Sequence, residues 1–324
     1  MTDTSIVNTR SLGRTDIQIS PIGLGLMEFS RGKGLFGLAF PELSRNEKNA
    51  IIKAALDGGI NWFDTAEMYG LGESERSLSQ GLNDLGIADS QVVIATKWLP
   101  LLRTAGTIYH NIEYRQRALA GYTIDLFMVH QPWGLSPPEA EMDAMANLVK
   151  AGRIRSVGVS NFDAERMVRA YEALQRHNLP LAVNQMQYSL LQREIESNGV
   201  LDTARALGVT IIAYTPLGSG LLTGKYHKDP ELLEQKPFPQ RMMLRRDLER
   251  TRPLIEAMDE IAAAHNATIA QVALNWVVNF HGETIVTIPG ATKVEQARDN
   301  AGALNFKLTE NEMARLDELS SQLM

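Results

Sequence analysis

The sequence contains no cysteine. This absence excludes disulfide bonds, thiolate catalysis and cysteine-based metal sites, and it is compatible with a reducing compartment. No apolar run approaches the roughly 20 residues that span a bilayer, and the polar stretch 1–10 lacks the apolar core of a signal peptide. The net charge of −6 argues against nonspecific binding to nucleic acid or to anionic membranes. We therefore expect a soluble cytoplasmic protein.

The chain is long and apolar enough to bury a large core. Its 324 residues are 44% hydrophobic and 22% charged, which is typical of a soluble globular protein. This length suits one large domain or two ordinary ones. Because no linker divides the sequence, we expect a single domain over residues 1–324. The oligomeric state, monomer or homo-oligomer, stays open.

Short apolar segments alternate with helical patterns along most of the chain. Their lack of a polar face indicates a parallel sheet covered by helices. Eight such units predict a closed (β/α)8 TIM barrel. An open doubly wound sheet is the main alternative, but Gly23 and Gly25 lie within a strand and no third glycine opens a following helix. The predicted strands are 22–27, 60–63, 92–96, 124–129, 154–159, 181–185, 209–214 and 284–288.

Local signals mark where the flanking elements begin. The pattern of residues 6–20 indicates a β-hairpin whose first arm starts at Ile6-Val7, placed as a plug at one end of the barrel. Ser44 has Glu47 three residues later, which predicts a capped helix start. Thr309 is expected to cap an extra C-terminal helix that ends near residue 320.

Polar side chains stand at the C-terminal ends of the predicted strands. Each has an ordinary explanation, such as a solvated lysine, a structural histidine or a turn-forming aspartate. Together they are harder to dismiss, because strand ends of a barrel converge on one mouth where chemistry takes place. In chain order they are Asp64, Lys97, His130, Ser160-Asn161, Asn184-Gln185 and Tyr214, with Tyr69 one turn after Asp64.

The chemistry of this cluster is definite. A free tyrosine has a pKa near 10, and we expect Lys97 to lower the pKa of Tyr69 by favouring the phenolate. Asp64 can hold Lys97 charged and oriented, while His130 can hydrogen-bond an oxygen beside the phenol. Such a group can move a proton to or from a carbonyl or alcohol oxygen. A redox reaction would need a cofactor, because none of these side chains accepts electrons.

Seven ordered motifs make the chain resemble the aldo-keto reductases, in particular bacterial-type NADP-dependent members. The resemblance implies the (β/α)8 barrel and a catalytic tetrad of Asp64, Tyr69, Lys97 and His130. It casts Tyr69 as general acid in reduction and general base in oxidation, with hydride passing from the nicotinamide of NADP(H). The motifs are GINWFDTAEMYG, VVIATKW, TIDLFMVHQPW, GRIRSVGVSNF, VNQMQYSLL, IIAYTPLGSGLLTGKY and IPGATKVEQARDN.

The resemblance also implies a nucleotide surface across the mouth. Ser160, Asn161 and Gln185 match positions that hydrogen-bond the carboxamide, and Tyr214 matches the aromatic that stacks on the nicotinamide ring. The pyrophosphate loop corresponds to 216–221. Its glycines permit close approach to phosphates, although a flexible turn would use the same residues. The further implied contacts are Gly25, Met27 and Asp64, and, in or just after the loop, Pro216, Leu217, Gly218, Ser219, Leu221 and Lys225.

The adenine end of the nucleotide is expected after Ile288-Pro289. Many members have a Lys-Ser pair there and an arginine further on, whereas this chain has Gly290-Ala291 and then Thr292-Lys293. Lys293 would be the cation for the 2′-phosphate, which favours NADPH, and use of NADH as well stays open. Gln296 stands at the arginine position, and Asp299-Asn300 match an adenine-contacting pair.

The sequence identifies the residues of the substrate pocket less clearly than those of the nucleotide surface. Met27, Phe29, Trp98 and Trp133 follow strands at the same mouth and are expected to line it with Tyr69 and His130. Ordinary packing in the core or loops is the alternative. The segments 28–44 and 222–250 are candidates to close over the substrate and the cofactor. The charged residues of 222–250 are also compatible with a face that is simply exposed to solvent.

Three functions compete. The first is an NADPH-dependent reductase of aldehydes, ketones or simple sugars, or the reverse oxidation of alcohols. The second is a nucleotide-sensing binding protein of the same fold with slow turnover. The third, a metal-dependent barrel enzyme, is disfavoured because His130 has no second histidine or carboxylate at ligand spacing, so we predict no metal.

Overall fold

The computed structural model describes residues 9–30, 42–235 and 238–324. Within these residues, strands and helices alternate as the sequence predicts. The strands are Arg10–Ser11 (β1), Gln18–Ile19 (β2), Leu24–Gly25 (β3), Trp62–Asp64 (β4), Val93–Trp98 (β5), Leu126–Val129 (β6), Ser156–Ser160 (β7), Leu181–Gln187 (β8), Thr210–Tyr214 (β9) and Ile285–Thr287 (β10). The helices are Arg45–Asp57 (α1), Glu73–Asp84 (α2), Ile108–Ala118 (α3), Pro138–Lys150 (α4), Ala164–Gln175 (α5), Val200–Leu207 (α6), Lys225–Lys228 (α7), Phe238–Ala264 (α8), Ile269–Asn279 (α9), Val294–Gly302 (α10) and Glu310–Ser321 (α11).

The strands β3 to β10 form one parallel sheet in chain order. The sheet closes where the start of the barrel meets its end. Gly23 N donates to Thr287 O at 2.8 Å, and Gly25 N donates to Pro289 O at 3.1 Å. A bridge between Gly25 and Gly290 completes this seam between β3 and β10. The predicted (β/α)8 barrel is therefore confirmed, and the doubly wound alternative is wrong because an open sheet has no such closure.

The N-terminal hairpin lies across one end of the barrel. Strands β1 and β2 pair antiparallel, with Arg10 opposite Ile19. The Leu12, Ile17 and Ile19 side chains are buried with Trp62 and other inward-facing residues of the strands. The predicted arm at Ile6-Val7 lies outside the described residues. The hairpin thus supplies apolar side chains that fill the barrel interior from below, as a plug would.

Capping boxes begin the helices where the sequence predicts them. In α1, the Ser44 side chain accepts from Glu47 N, and Ser44 N donates back to Glu47 Oε2 at 2.7 Å. In α11, Thr309 and Glu312 form the same reciprocal pair. Each box satisfies two backbone N–H groups that a helix start leaves without partners. Both predicted starts are confirmed.

The segment before residue 251 differs from its prediction. The sequence predicts a helix from 251 after an irregular, charged stretch, whereas α8 already begins at Phe238. In this stretch Leu244 is buried with Leu221, Tyr226 and Leu233 in a small separate cluster. The charged residues therefore occupy mostly exposed positions of a helix that Leu244 and Leu248 anchor, a pattern that the sequence-based prediction did not recognise.

We expect Gly25→Ala to weaken the seam. A Cβ at Gly25 would lie 2.8 Å from the Ile288 carbonyl oxygen, which cannot retreat without moving the backbone of the opposite strand end. The free energy of unfolding should fall by about 1–3 kcal/mol in urea denaturation. Gly106→Ala is the matched control, because the closest described atom to its Cβ position is Thr104 Oγ1 at 3.9 Å. Equal losses in both variants would contradict a tight seam.

Candidate active site

A buried ion pair lies at the centre of the barrel mouth. Lys97 on β5 and Asp64 at the end of β4 are 0% and 1% exposed, and Lys97 Nζ lies 2.5 Å from Asp64 Oδ1. Lys97 Nζ also donates to Thr65 O at 2.9 Å. The second oxygen of Asp64 accepts from Gln185 Nε2 at 2.9 Å. Both charges are thus hydrogen-bonded on more than one side, which a buried pair needs to offset its desolvation.

Tyr69 and His130 stand beside this pair. The Lys97 ammonium lies 5.1 Å from the centroid of the Tyr69 ring. The His130 ring meets the Tyr69 ring edge-on, with centroids 5.8 Å apart and an interplanar angle of 85°. Tyr69 keeps part of its surface accessible, whereas His130 is buried. The four residues that the sequence singles out for proton transfer therefore meet at one place.

The electrostatics of Tyr69 differ from the sequence-based expectation. Burial raises the pKa of the phenol well above its ordinary value, and the Asp64 and Glu28 carboxyls raise it further. The expected lowering by Lys97 is not the net result, because Asp64 neutralises the nearby ammonium and a buried phenolate is costly. At neutral pH the phenol is therefore protonated, which is the form that can give a proton.

His130 is held neutral by its surroundings. Burial, and then the positive charge of Lys97, lower the pKa of His130 well below its ordinary value. Its Nδ1 atom is buried and has no hydrogen-bond partner among the described residues. Burial likewise lowers the pKa of Lys97, an effect that Asp64 opposes. The mouth of the barrel thus contains one ion pair, Lys97 with Asp64, and two neutral polar rings, those of Tyr69 and His130.

A hydrogen-bonded chain links the ends of β7, β8 and β9. The Tyr214 hydroxyl donates to Asn161 Oδ1 at 2.9 Å, and Asn161 Nδ2 donates to Ser160 Oγ at 2.9 Å. Ser160 Oγ donates to Gln185 O at 3.0 Å. Because Gln185 also holds Asp64, this chain connects the predicted nicotinamide surface to the ion pair.

The loop after β9 has a left-handed backbone. It follows Pro216 and Leu217 and contains three consecutive residues in the left-handed region, with φ of 54° at Gly218, 55° at Ser219 and 91° at Gly220. A Cβ on Gly220 would lie 3.1 Å from Lys225 Nζ, so the ammonium lies against this turn. By contrast, the Leu221 side chain is buried in the protein.

The predicted adenine end is organised around a helix start. Lys293 is exposed at the N-cap of α10. Gln296 Oε1 accepts from Thr292 N at 2.8 Å and from Lys293 N at 3.2 Å. Asn300 Nδ2 donates to Gly290 O at 3.3 Å. Gln296 and Asn300 therefore hold the loop itself in this structure, while Lys293 presents its charge outward.

Comparison with known proteins matches this architecture. The model of the Aldo/keto reductase family matches residues 21–321. The chain belongs to the aldo/keto reductase family. It is thus an oxidoreductase that acts on carbonyl groups, in agreement with the resemblance that its motifs show.

Two similar proteins align with most of this chain. The chloroplastic pyridoxal reductase of Arabidopsis thaliana is 31% identical over 93% of this chain and 83% of its own. An uncharacterized oxidoreductase of Mycobacterium tuberculosis is 34% identical over 90% of this chain and 86% of its own.

Solved structures of the family agree with the fold. The aldo/keto reductase from Klebsiella pneumoniae, in complex with NADP and acetate, has 29% identity and a TM-score of 0.73 over 95% of this chain and 94% of its own. The glycerol dehydrogenase of Gluconobacter oxydans has 26% identity and a TM-score of 0.79 over 97% of this chain and 95% of its own.

Two of the residues predicted to line the substrate pocket of this aldo/keto reductase lie elsewhere. Phe29 and Trp98 are both 0% exposed and belong to the main hydrophobic cluster, so the core-packing alternative describes them. They were expected at the mouth because they follow strand ends, but their side chains point between the sheet and the helices. Trp133 is 53% exposed on the loop after β6, and Met27 is partly accessible after β3. These two stay candidates for contact with a ligand.

Sequence reasoning did not single out several carboxyls whose pKa burial raises, among them Glu75 and Glu28. Glu75 on α2 is 0% exposed behind β5, accepts from Thr96 Oγ1 at 2.5 Å, and has its pKa raised by burial to about 7. Glu28 lies at the mouth, in a 3-10 turn that follows β3. For Glu28, the available signal was its position as the only acid in the apolar stretch 22–29. We assigned Glu28 to the start of a loop.

The described residues lack the features of a metal site and of a membrane span. They contain no group of three or more histidine, aspartate or glutamate side chains placed to hold a metal ion. In that part of the chain, no helix combines the length and apolarity needed to cross a bilayer.

We expect Lys97→Met to be strongly destabilising, because it leaves the Asp64 carboxylate buried without its cation. The free energy of unfolding should fall by about 3–5 kcal/mol, measured in urea. The double variant Lys97→Met with Asp64→Asn should lose less than the sum of the single losses, since neither charge is then stranded. Lys53→Met serves as control, because Lys53 forms an exposed pair with Asp57 at 2.7 Å that should contribute at most about 1 kcal/mol. Similar losses for Lys97→Met and Lys53→Met would refute the central role of the buried pair.

Proposed function

We propose that this protein reduces aldehydes or ketones with NADPH and that Tyr69 is the proton donor. The observation that carries the proposal is the position of Tyr69, whose protonated phenol lies between the paired Lys97 ammonium and the neutral His130 ring. A carbonyl oxygen placed beside that hydroxyl would meet one group able to give a proton and a second able to donate a hydrogen bond.

Each residue of the mouth has a distinct task in this proposal. Tyr69 gives its proton to the carbonyl oxygen as the alcohol forms, and it takes a proton back in the reverse reaction. Lys97 stabilises the phenolate that this transfer leaves, while Asp64 keeps the ammonium in place. His130, as the tautomer that carries a proton on the nitrogen facing the substrate, orients the carbonyl oxygen. When bound, the nicotinamide nucleotide supplies the hydride for the carbonyl carbon.

The residues around the mouth fit such a nucleotide. The left-handed turn 218–220 with Lys225 against it suits a pyrophosphate, because glycines allow close approach and the ammonium balances charge. Tyr214 suits the flat nicotinamide ring, and Ser160 and Asn161 suit its carboxamide. Lys293 at the start of α10 suits the 2′-phosphate of NADPH. The Klebsiella pneumoniae relative, solved with NADP, supports this choice of cofactor.

One observation favours the nucleotide-sensing alternative. The raised pKa of Tyr69 makes its phenol a weaker acid, and a weaker acid slows proton transfer. A sensing protein would release or oxidise its nucleotide slowly. Measuring steady-state carbonyl turnover and the rate of nucleotide release distinguishes the two functions. Both rates are high for an enzyme, whereas a sensor releases or oxidises its nucleotide slowly.

Tyr69→Phe should lower kcat for an aldehyde substrate by about 10²-fold or more, since it removes the positioned acid. NADPH fluorescence titration should show an affinity close to that of the unmodified protein, because the ring remains. Tyr109→Phe is the matched control, as Tyr109 lies on α3 and its hydroxyl accepts from Asn147 Nδ2 at 3.0 Å. A kcat for Tyr69→Phe equal to that of Tyr109→Phe would exclude Tyr69 as the acid.

Lys293→Ala should discriminate between the two nucleotides. Removing the exposed ammonium should weaken NADPH by about tenfold and leave NADH nearly unchanged, because only NADPH carries the 2′-phosphate. Dissociation constants from fluorescence titration provide the measurement. Lys307→Ala, a change of the same charge outside the predicted nucleotide surface, is the control. Equal weakening of NADPH and NADH would place the 2′-phosphate elsewhere.

A further inference from the structure

Glu28 is a carboxyl at the mouth that the proposed mechanism does not use. It lies in the 3-10 turn Met27–Ser30, directly after β3. Its carboxyl group rests on Gly290, where a Cβ would overlap it. Gly290 in turn bridges to Gly25, so Glu28 lies over the seam of the barrel. The sequence predicts both of these glycines as nucleotide contacts, and Glu28 is therefore inside the predicted binding surface.

One of the two carboxyl oxygens of Glu28 lacks a hydrogen-bond partner in the part of the chain that the structure describes. Glu28 Oε2 is buried and has no hydrogen bond among the described residues. Buried carboxylate oxygens are normally bonded, and an unpaired one is unfavourable. The lysines nearby have other contacts, since Lys97 pairs with Asp64, and Lys48 donates to Phe29 O at 3.2 Å and to Ser77 Oγ at 2.8 Å. A carboxyl that costs stability in this way and lies in a binding surface is a candidate contact for a ligand.

The chemistry of a carboxyl limits what it can bind. A phosphate or a second carboxylate would repel it, so the pyrophosphate is not its partner. Hydroxyl groups suit it, because two oxygens of one carboxylate can accept from neighbouring hydroxyls. Burial raises the pKa of Glu28 to about 7, so both the carboxylate and the protonated form occur near neutrality. Either form can hydrogen-bond a hydroxyl.

We propose that Glu28 is a ligand-binding residue that hydrogen-bonds a hydroxyl of the molecule bound over Gly290. This proposal rests on the proposed function, which places a nucleotide and a carbonyl compound at this mouth. The hydroxyl has two sources, the ribose of the nucleotide or a hydroxyl of the substrate. The Glu28 residue is partly exposed beside Gly290, so a ligand at the mouth can approach it.

The test compares Glu28→Met, which removes the hydrogen bond at similar length, with Glu28→Gln, which keeps one oxygen acceptor. Glu113→Gln on the exposed outer face of α3 controls for the loss of one negative charge. NADPH affinity is measured by fluorescence titration without substrate. KM is then measured at saturating NADPH for glyceraldehyde, which carries hydroxyls, and for propanal, which lacks them. Circular dichroism melting establishes that each variant is folded.

Two results support the proposal and identify the source. If the ribose is the partner, Glu28→Met weakens NADPH about tenfold and Glu28→Gln restores most of that loss. If the substrate is the partner, NADPH affinity is unchanged and only the KM for glyceraldehyde rises about tenfold. Unchanged values in both measurements, with folded protein, overturn it. NADPH affinity can be measured without turnover. Failure of the proposed function would therefore show separately, as absence of reductase activity in the unmodified protein.

Discussion

The buried pair of Lys97 and Asp64 is the constraint on which the mouth of this barrel depends. Two charges taken out of water are tolerated only when each is paired and hydrogen-bonded. Here the partners come from different elements, with Thr65 following β4 and Gln185 in the C-terminal half of β8. Satisfying the pair therefore fixes three strand ends relative to one another. Tyr69 and His130 are positioned against a group that cannot move without exposing a buried charge.

The same pair sets the electrostatic character of the site. Because Asp64 neutralises Lys97, the phenol of Tyr69 responds mainly to burial and to nearby carboxyls, and its pKa rises. His130 responds to burial and to the remaining field of Lys97, and its pKa falls. The result is a protonated phenol beside a neutral imidazole. A site so arranged favours proton donation to an uncharged carbonyl oxygen over binding of a charged group at that point.

The second constraint is the seam between β3 and β10. Gly25 approaches the Ile288 carbonyl oxygen so closely that a side chain there would collide with it. On the other side of the seam, Gly290 makes room for the Glu28 carboxyl. In the proposed site, barrel closure and ligand contact use the same two glycines. A carboxyl with one unpaired oxygen thus lies at the edge of the site and not in the core.

Several features of this protein were determined by sequence alone. Apolar runs and capping signals such as Ser44 with Glu47 gave the alternation of strands and helices, and polar residues at strand ends gave Asp64, Lys97 and His130. These succeed because period, caps and strand ends are local properties of the chain. Only the tertiary structure decided that Trp98 and Phe29 pack in the core, that α8 begins at Phe238, and that the pKa of Tyr69 rises. The unpaired carboxyl oxygen of Glu28 is also a feature that only the tertiary structure decided. In each case the outcome depends on what lies opposite a side chain, and residues distant in sequence supply that neighbour.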